Sequence, residues 1–240
     1  MSHERPWENV DSTGIEFGEV LKSPTVDLGS PWDGADGQIA ELHLSVGEGA
    51  ELSNRKRAIV IEDPVWQRMI MHSMKQPNVE VGGFLLGSVW QELTESSSTA
   101  SSSTATKGAY TEGVWIQDLI QAEFQESSAA SLRFTHETWQ AVARKHQASE
   151  SPLAIVGWYH THPNWGIFLS SMDEFICQNF FSDHQSVGLV IDPQRKLAGC
   201  FEWDDAGKKM VKRSSVHLRV SQELAILRHE AKLESTHGFV

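Results

Sequence analysis

Cysteine is scarce in this 240-residue chain: Cys177 and Cys200 are the only two. Two cysteines cannot build a disulfide framework, so a reducing, cytoplasmic setting is the default expectation. No run of about 18 apolar residues occurs, and no membrane span is expected. The opening MSHERPWENVDS lacks the basic stretch and the apolar core of a signal peptide. Positive charge is also short, with 20 Lys/Arg against 32 Asp/Glu and a formal net charge of -12. An acidic chain without a basic patch argues against binding to nucleic acid. Most of the imbalance lies in residues 1–54, which hold eleven Asp/Glu and two Lys/Arg. Such a segment is compatible with a basic protein partner, although an acidic tail more often only solubilises.

Hydrophobic residues make up 40% of the chain and nine are Trp, enough for a packed core. The length fits one sizeable domain with tails. Residues 1–54 are rich in Gly, Ser, Asp and Glu and are expected to be largely disordered or loosely docked, with Trp7, Phe17 and Trp32 as candidate anchors. Within them QIAELHLSV, residues 38–46, alternates well enough to predict an added strand.

Regular structure is predicted from residue 55 to 237. A β-prone run at 58–61 leads into Asp63-Pro64, read as N-cap and first helical residue. Val65, Trp66, Met69, Ile70 and Met74 follow at helical spacing and mark a buried face. VEVGGFLLGSVWQEL reads as a strand whose paired glycines signal a bulge or close backbone approach. Residues 94–108, TESSSTASSSTATKG, form a low-complexity flexible insert. AYTEGVWIQDLIQAEF resumes a strand pattern, and FTHETWQAVARKHQA is a helix capped by Thr135. PLAIVGWYHTHP is near-continuously apolar and therefore a central strand. A helix starts near Ser170 or Ser171. Strands follow in SVGLVIDP, KLAGCFEWD and KMVKRSSVHLRV, and residues 221–235 form a terminal helix capped by Ser221. The sum is an α/β domain, a mixed and mostly antiparallel sheet flanked by helices.

The chemistry concentrates in HTHPNWGIFLSSMD, residues 160–173. Residues i and i+2 of a strand share a face, so His160 and His162 present their imidazoles side by side before Pro163 ends the strand. A catalytic zinc takes three protein ligands, and Asp173 is the natural third, on the first turn of the following helix. Ser170 lies at the mouth of that helix. The plainer alternative is that Ser170 and Asp173, like Ser171 and Glu174, have the spacing of a helix-capping pair and do no more than start a helix.

The ungapped pattern His-x-His-Pro-x6-Ser-x2-Asp resembles the JAMM motif of the MPN (JAB/Mov34) metalloprotease family. NVEVGGFLLG matches the family's upstream glutamate and its apolar, glycine-ended run, with Glu80 as the glutamate. VIDP at 190–193 and LAGCFEW at 197–203 resemble the family's strands. The likeness covers roughly residues 58–215. It implies a cytidine-deaminase-like MPN core and one zinc ion held by His160, His162 and Asp173, with water as the fourth ligand. Glu80 is then the residue that takes the water's proton and passes it to the leaving amine. Ser170 donates a hydrogen bond to the developing oxyanion. Neither cysteine is needed, and both are expected in the core.

Family members with the full motif are similar in cleaving isopeptide or peptide bonds at the C-terminus of ubiquitin or a ubiquitin-like protein. The motif here looks closer to the prokaryotic JAB branch than to the proteasome or signalosome subunits. That branch implies a bacterial ubiquitin-like conjugation pathway with E1-like and E2-like enzymes, in some cases in antiphage defence, or the processing of sulfur-carrier proteins with a diglycine tail. Two other classes stand against the isopeptidase: a scaffold whose metal site is vestigial, and a zinc hydrolase of small peptides unrelated to ubiquitin.

Overall fold

A computed structural model describes residues 37–47, 49–91, 110, 112–122, 125–128, 131–134, 136–148 and 153–221. Residues 1–36, the whole Ser/Thr-rich insert at 94–108, Thr135 and the segment expected to form the terminal helix beyond Ser221 lie outside them. In chain order the strands are β1 (Gly37–His43), β2 (Ala58–Glu62), β3 (Gly82–Gln91), β4 (Glu112–Gln121), β5 (Gln125–Ser128), β6 (Ser131–Phe134), β7 (Ala154–Thr161), β8 (Val187–Asp192), β9 (Leu197–Trp203), β10 (Met210–Arg213) and β11 (Ser215–Ser221). The helices are α1 (Asp63–Lys75), α2 (His136–Ala148) and α3 (Ser171–Phe180).

Among the described residues nine strands form one sheet in the order β1-β11-β2-β4-β3-β7-β8-β9-β10, and β5 and β6 pair separately. Five neighbouring pairs in the large sheet are antiparallel and three are parallel. The mixed, mostly antiparallel architecture is the one expected. β10 and β11 sit toward opposite ends of the order yet are separated only by Ser214, so the sheet has to curl back on itself. Residues ahead of 55 help close it. β1 adds to β11, Leu44 N donates to Ser214 O (2.9 Å), and Ser53 N donates to Lys212 O (2.7 Å) on β10.

Both faces are covered. Val65 and Met69 of α1 pack with Ile59, Ile61, Leu85, Tyr159 and Leu189 on one side. Val142 of α2 and Ile176, Cys177 and Phe181 at α3 pack with Phe84, Leu86, Ile155 and Trp158 on the other. β7, buried along its whole length, lies between β3 and β8 as its apolar run predicted.

Several local expectations are corrected. The N-cap of α1 is Glu62, and Asp63 is already helical and buried. Met74 is exposed, while His72 and Ser73 take buried places on α1. Residues 209–220, read as one strand, are two (β10 and β11), because the chain leaves one end of the sheet and joins the other. The β5–β6 hairpin had no counterpart in the sequence reading. The close approach predicted at the paired glycines occurs at Gly83, where an added Cβ would meet the Ile120 carbonyl and Tyr159 Cε1 at 2.6 Å.

Candidate metal centre

Two elements deliver the site. β7 brings His160 to its end, and His162 follows, still held in register by its N–H to Ile191 O (2.9 Å). The first turn of α3 brings Asp173. His160 Nε2 and His162 Nε2 are 3.0 Å apart. Asp173 Oδ1 lies 3.4 Å from His160 Nε2, and Oδ2 lies 3.5 Å from His162 Nε2. All three residues are buried, and among the described residues this is the one group of His, Cys, Asp and Glu side chains placed to share a metal ion.

Each ligand has its own support. His162 Nδ1 donates to Gly166 O (3.2 Å), which leaves the Nε2 lone pair facing the cluster. His160 has no hydrogen-bond partner at its buried Nδ1, and its ring is held instead by a parallel stack on Trp158 (4.4 Å, 11°). Asp173 Oδ2 accepts the Ser170 N–H (2.7 Å), while Ser170 Oγ accepts the Asp173 N–H (3.2 Å). This is a capping box, so the plainer reading of Ser170 and Asp173 is also true. One carboxylate starts the helix and faces both imidazoles.

The donor set fits zinc. Two neutral imidazoles and one carboxylate are a known ligand combination for it, and ligands bonded at about 2.0–2.1 Å around a tetrahedral centre stand roughly 3.3 Å apart. The separations of 3.0 to 3.5 Å bracket that spacing. Burial holds His160 below the usual imidazole value. Burial pushes Asp173 up, but His160, His162 and Ser170 outweigh it and keep the carboxyl well below the carboxylate range. Both groups are thus in the deprotonated form that a cation requires.

Glu80 lies just ahead of β3, with Oε1 3.9 Å from His162 Nε2. Burial pushes its carboxyl up, His162 pulls it back in part, and Asp173 raises it again, to about 7. Thr161, the residue between the two histidines, holds this segment in place. Its Oγ1 accepts the Val81 N–H (2.9 Å), and its own N–H donates to Val81 O (2.9 Å). The sequence reading passed over Thr161. A β-branched hydroxyl residue pointing away from two flanking ligands was the available signal. Trp165 is 54% exposed and Phe168 lies against the His162 ring (4.6 Å), so the loop between the ligands carries an apolar lip. The His136 side chain, next to the expected Thr135 cap, lies outside the described residues. Cys177 and Cys200 are buried free thiols, and burial pushes both up to about 12.

Comparison with known proteins places the chain among its relatives. The chain is 28% identical over 130 residues to COP9 signalosome complex subunit 5 of Candida glabrata, covering 53% of this chain and 25% of that one. It is 24% identical over 168 residues to 26S proteasome regulatory subunit RPN11 of the same organism, covering 68% and 48%. The chain therefore spans less than half the length of these curated relatives. A solution structure of a Desulfitobacterium hafniense protein aligns with a TM-score of 0.43 and 16% identity, over 69% of this chain and 94% of that one. Residues 54–185, more than half of the chain and including all five candidate site residues, match the model of one family, and the chain belongs to it: the JAB1/Mov34/MPN/PAD-1 ubiquitin proteases.

Proposed function

We propose that this protein is a zinc-dependent hydrolase that cleaves isopeptide or peptide bonds at the C-terminus of a ubiquitin-like protein. The observation that carries the reading is the convergence of His160, His162 and Asp173 within 3.5 Å of one another, with a buried, proton-accepting Glu80 beside them. When bound, zinc supplies Lewis acidity and lowers the pKa of water in its open position toward about 7.

The chain's own residues do the rest. Glu80, with a carboxyl near neutrality, takes a proton from the attacking water and returns it to the departing amine. The Ser170 hydroxyl accepts the Asp173 N–H in the cap and lies beside the Asp173 carboxylate, and the second role we assign it is to turn its hydrogen to the oxyanion. Trp165 and Phe168 expose apolar surface beside the ligands, and the occupant we assign to that lip is a slender, extended tail. A diglycine-ended tail meets that demand. The setting we assign is a conjugation pathway with E1-like and E2-like enzymes, of the bacterial kind that the motif resembles, including those used in antiphage defence. Maturation of sulfur-carrier proteins would use the same chemistry.

The test is zinc content and cleavage of a diglycine-tailed ubiquitin-like fusion, with native protein, Glu80→Gln and His162→Ala in parallel. We expect about one zinc per chain in the native protein and in Glu80→Gln, and none in His162→Ala. Turnover falls by roughly 10²- to 10⁴-fold in Glu80→Gln. Full turnover by Glu80→Gln would refute the proton-transfer role. Zinc-free native protein that still binds its partners would return the scaffold reading.

A further inference from the structure

Asp192 ends β8 fully buried, and nothing so far gives it a part in the site. Its carboxylate collects four backbone N–H groups. Oδ1 accepts from Asn164 (3.1 Å), Gln194 (3.1 Å) and Arg195 (3.0 Å), and Oδ2 accepts from Gly166 (2.8 Å). Arg195 Nε also lies 3.7 Å from Oδ2. Burial would raise this carboxyl, but the four N–H donors outweigh it and keep it charged.

The bonds to Gln194 and Arg195 are the ordinary work of an Asp opening a turn. The bonds to Asn164 and Gly166 are not, because they reach back to the loop that joins the ligands. That loop turns through two left-handed residues, Asn164 (φ 62°) and Gly166 (φ 85°), a conformation that non-glycine residues rarely adopt. Asp192 holds the N–H of both, and Arg195 Nε holds the Asn164 side-chain oxygen (3.0 Å). The Gly166 carbonyl in turn accepts His162 Nδ1–H.

We infer that Asp192 is the positioning residue of His162: it fixes Gly166, and the Gly166 carbonyl fixes the tautomer and aim of the imidazole. Outer contacts of this kind set ligand basicity and orientation at metal sites. The inference rests on the reading of His162 as a metal ligand. His160, held by the Trp158 stack, has no such tether, so the two histidines are positioned by different means.

Asp192→Asn tests this. The amide keeps one acceptor for the turn and places a donor where Gly166 needs an acceptor. Zinc affinity is read by competition with a chromophoric chelator, and the tautomer by ¹⁵N NMR of the imidazoles in zinc-free protein at about pH 8, above the ordinary imidazole pKa. We expect His162 in the native protein to carry its proton on Nδ1 alone. In Asp192→Asn the two tautomers mix and zinc affinity falls by about 10- to 100-fold. Glu202→Gln is the control, since Glu202 pairs with Val187 at the opposite end of the β8–β9 ladder. It lowers the melting temperature and leaves zinc affinity unchanged. Native protein that binds zinc, with Asp192→Asn binding equally well, overturns this inference alone. So does a native His162 protonated on Nε2, which needs no variant to fold. Native protein that takes up no zinc overturns the metal reading and this inference with it.

Discussion

At the scale of single residues, the site economises on side chains by giving several of them two tasks. Asp173 caps α3 and faces both imidazoles, and Ser170 is the other half of the cap. The two tasks of Ser170 separate by measurement. Ser170→Ala removes the cap acceptor but keeps the backbone N–H that Asp173 uses. It should cost about 1 kcal/mol of stability, read as a lower melting temperature, and leave zinc content intact. If its hydroxyl also meets the oxyanion, kcat falls by a further 10²- to 10³-fold or so. A stability loss with unchanged kcat would leave Ser170 a helix cap and nothing more. These residues were legible in the sequence because their spacing is short and local. Thr161 and Asp192 were not, because each acts on a partner far along the chain, at Val81 and at Gly166.

At the scale of elements, the face on which the histidines emerge depends on a bulge. Opposite β3, Leu85 pairs with Gly157 and Leu86 with Ile155, so Val156 has no β3 partner and β7 gains a residue. Strict alternation from Ile155 would send Trp158 and His160 to the α1 face. With the bulge, Ile155 and Trp158 share the face of α2 and α3, where Asp173 waits. Near-continuous apolar sequence hides such a phase change, since either face accepts a hydrophobic residue. β3 meets β7 closely at Gly83. Gly83→Ala would drive a methyl into the Ile120 carbonyl and the Tyr159 ring, neither of which has room to yield. We expect a destabilisation of about 1–3 kcal/mol, measured by denaturant unfolding. A neutral result would mean that the β3–β7 contact is looser than it stands here.

At the scale of the whole molecule, a buried ionic cluster ties together strands that are far apart in the sheet. Arg57, just before β2, donates to Glu202 of β9 (2.6 Å) and to the side chain of Gln185, and Arg213 of β10 donates to Glu202 as well (2.9 Å). Only a curled sheet brings β2 to β9 and β10. Burial pushes Glu202 up, but Arg57 and Arg213 outweigh it and hold its carboxyl below the ordinary value of 4.5. The stability this brings is fully present above about pH 4.5 and is lost as pH falls through the lower folded value. Glu202→Gln leaves two buried guanidinium groups short of their counter-charge, and we expect a loss of about 3–5 kcal/mol at pH 7. Its stability should also vary less with pH below about 4.5 than that of the native protein. Equal acid sensitivity in the two proteins would show that other carboxylates govern acid unfolding.

What the sequence determined by itself was the local chemistry. The i, i+2 histidines, the capping spacing that places Asp173 and the apolar run that puts β7 at the centre all follow from periods of two and of about 3.6 residues. The resemblance carried by those residues added Glu80. Tertiary structure alone decided the curl, the split of residues 209–220 between two ends of one sheet, the face chosen by the Val156 bulge and the reach of Asp192 into the ligand loop. Each of these depends on which distant backbone a segment meets. No local periodicity encodes that choice, because it is made by the pairing and burial of the chain as a whole.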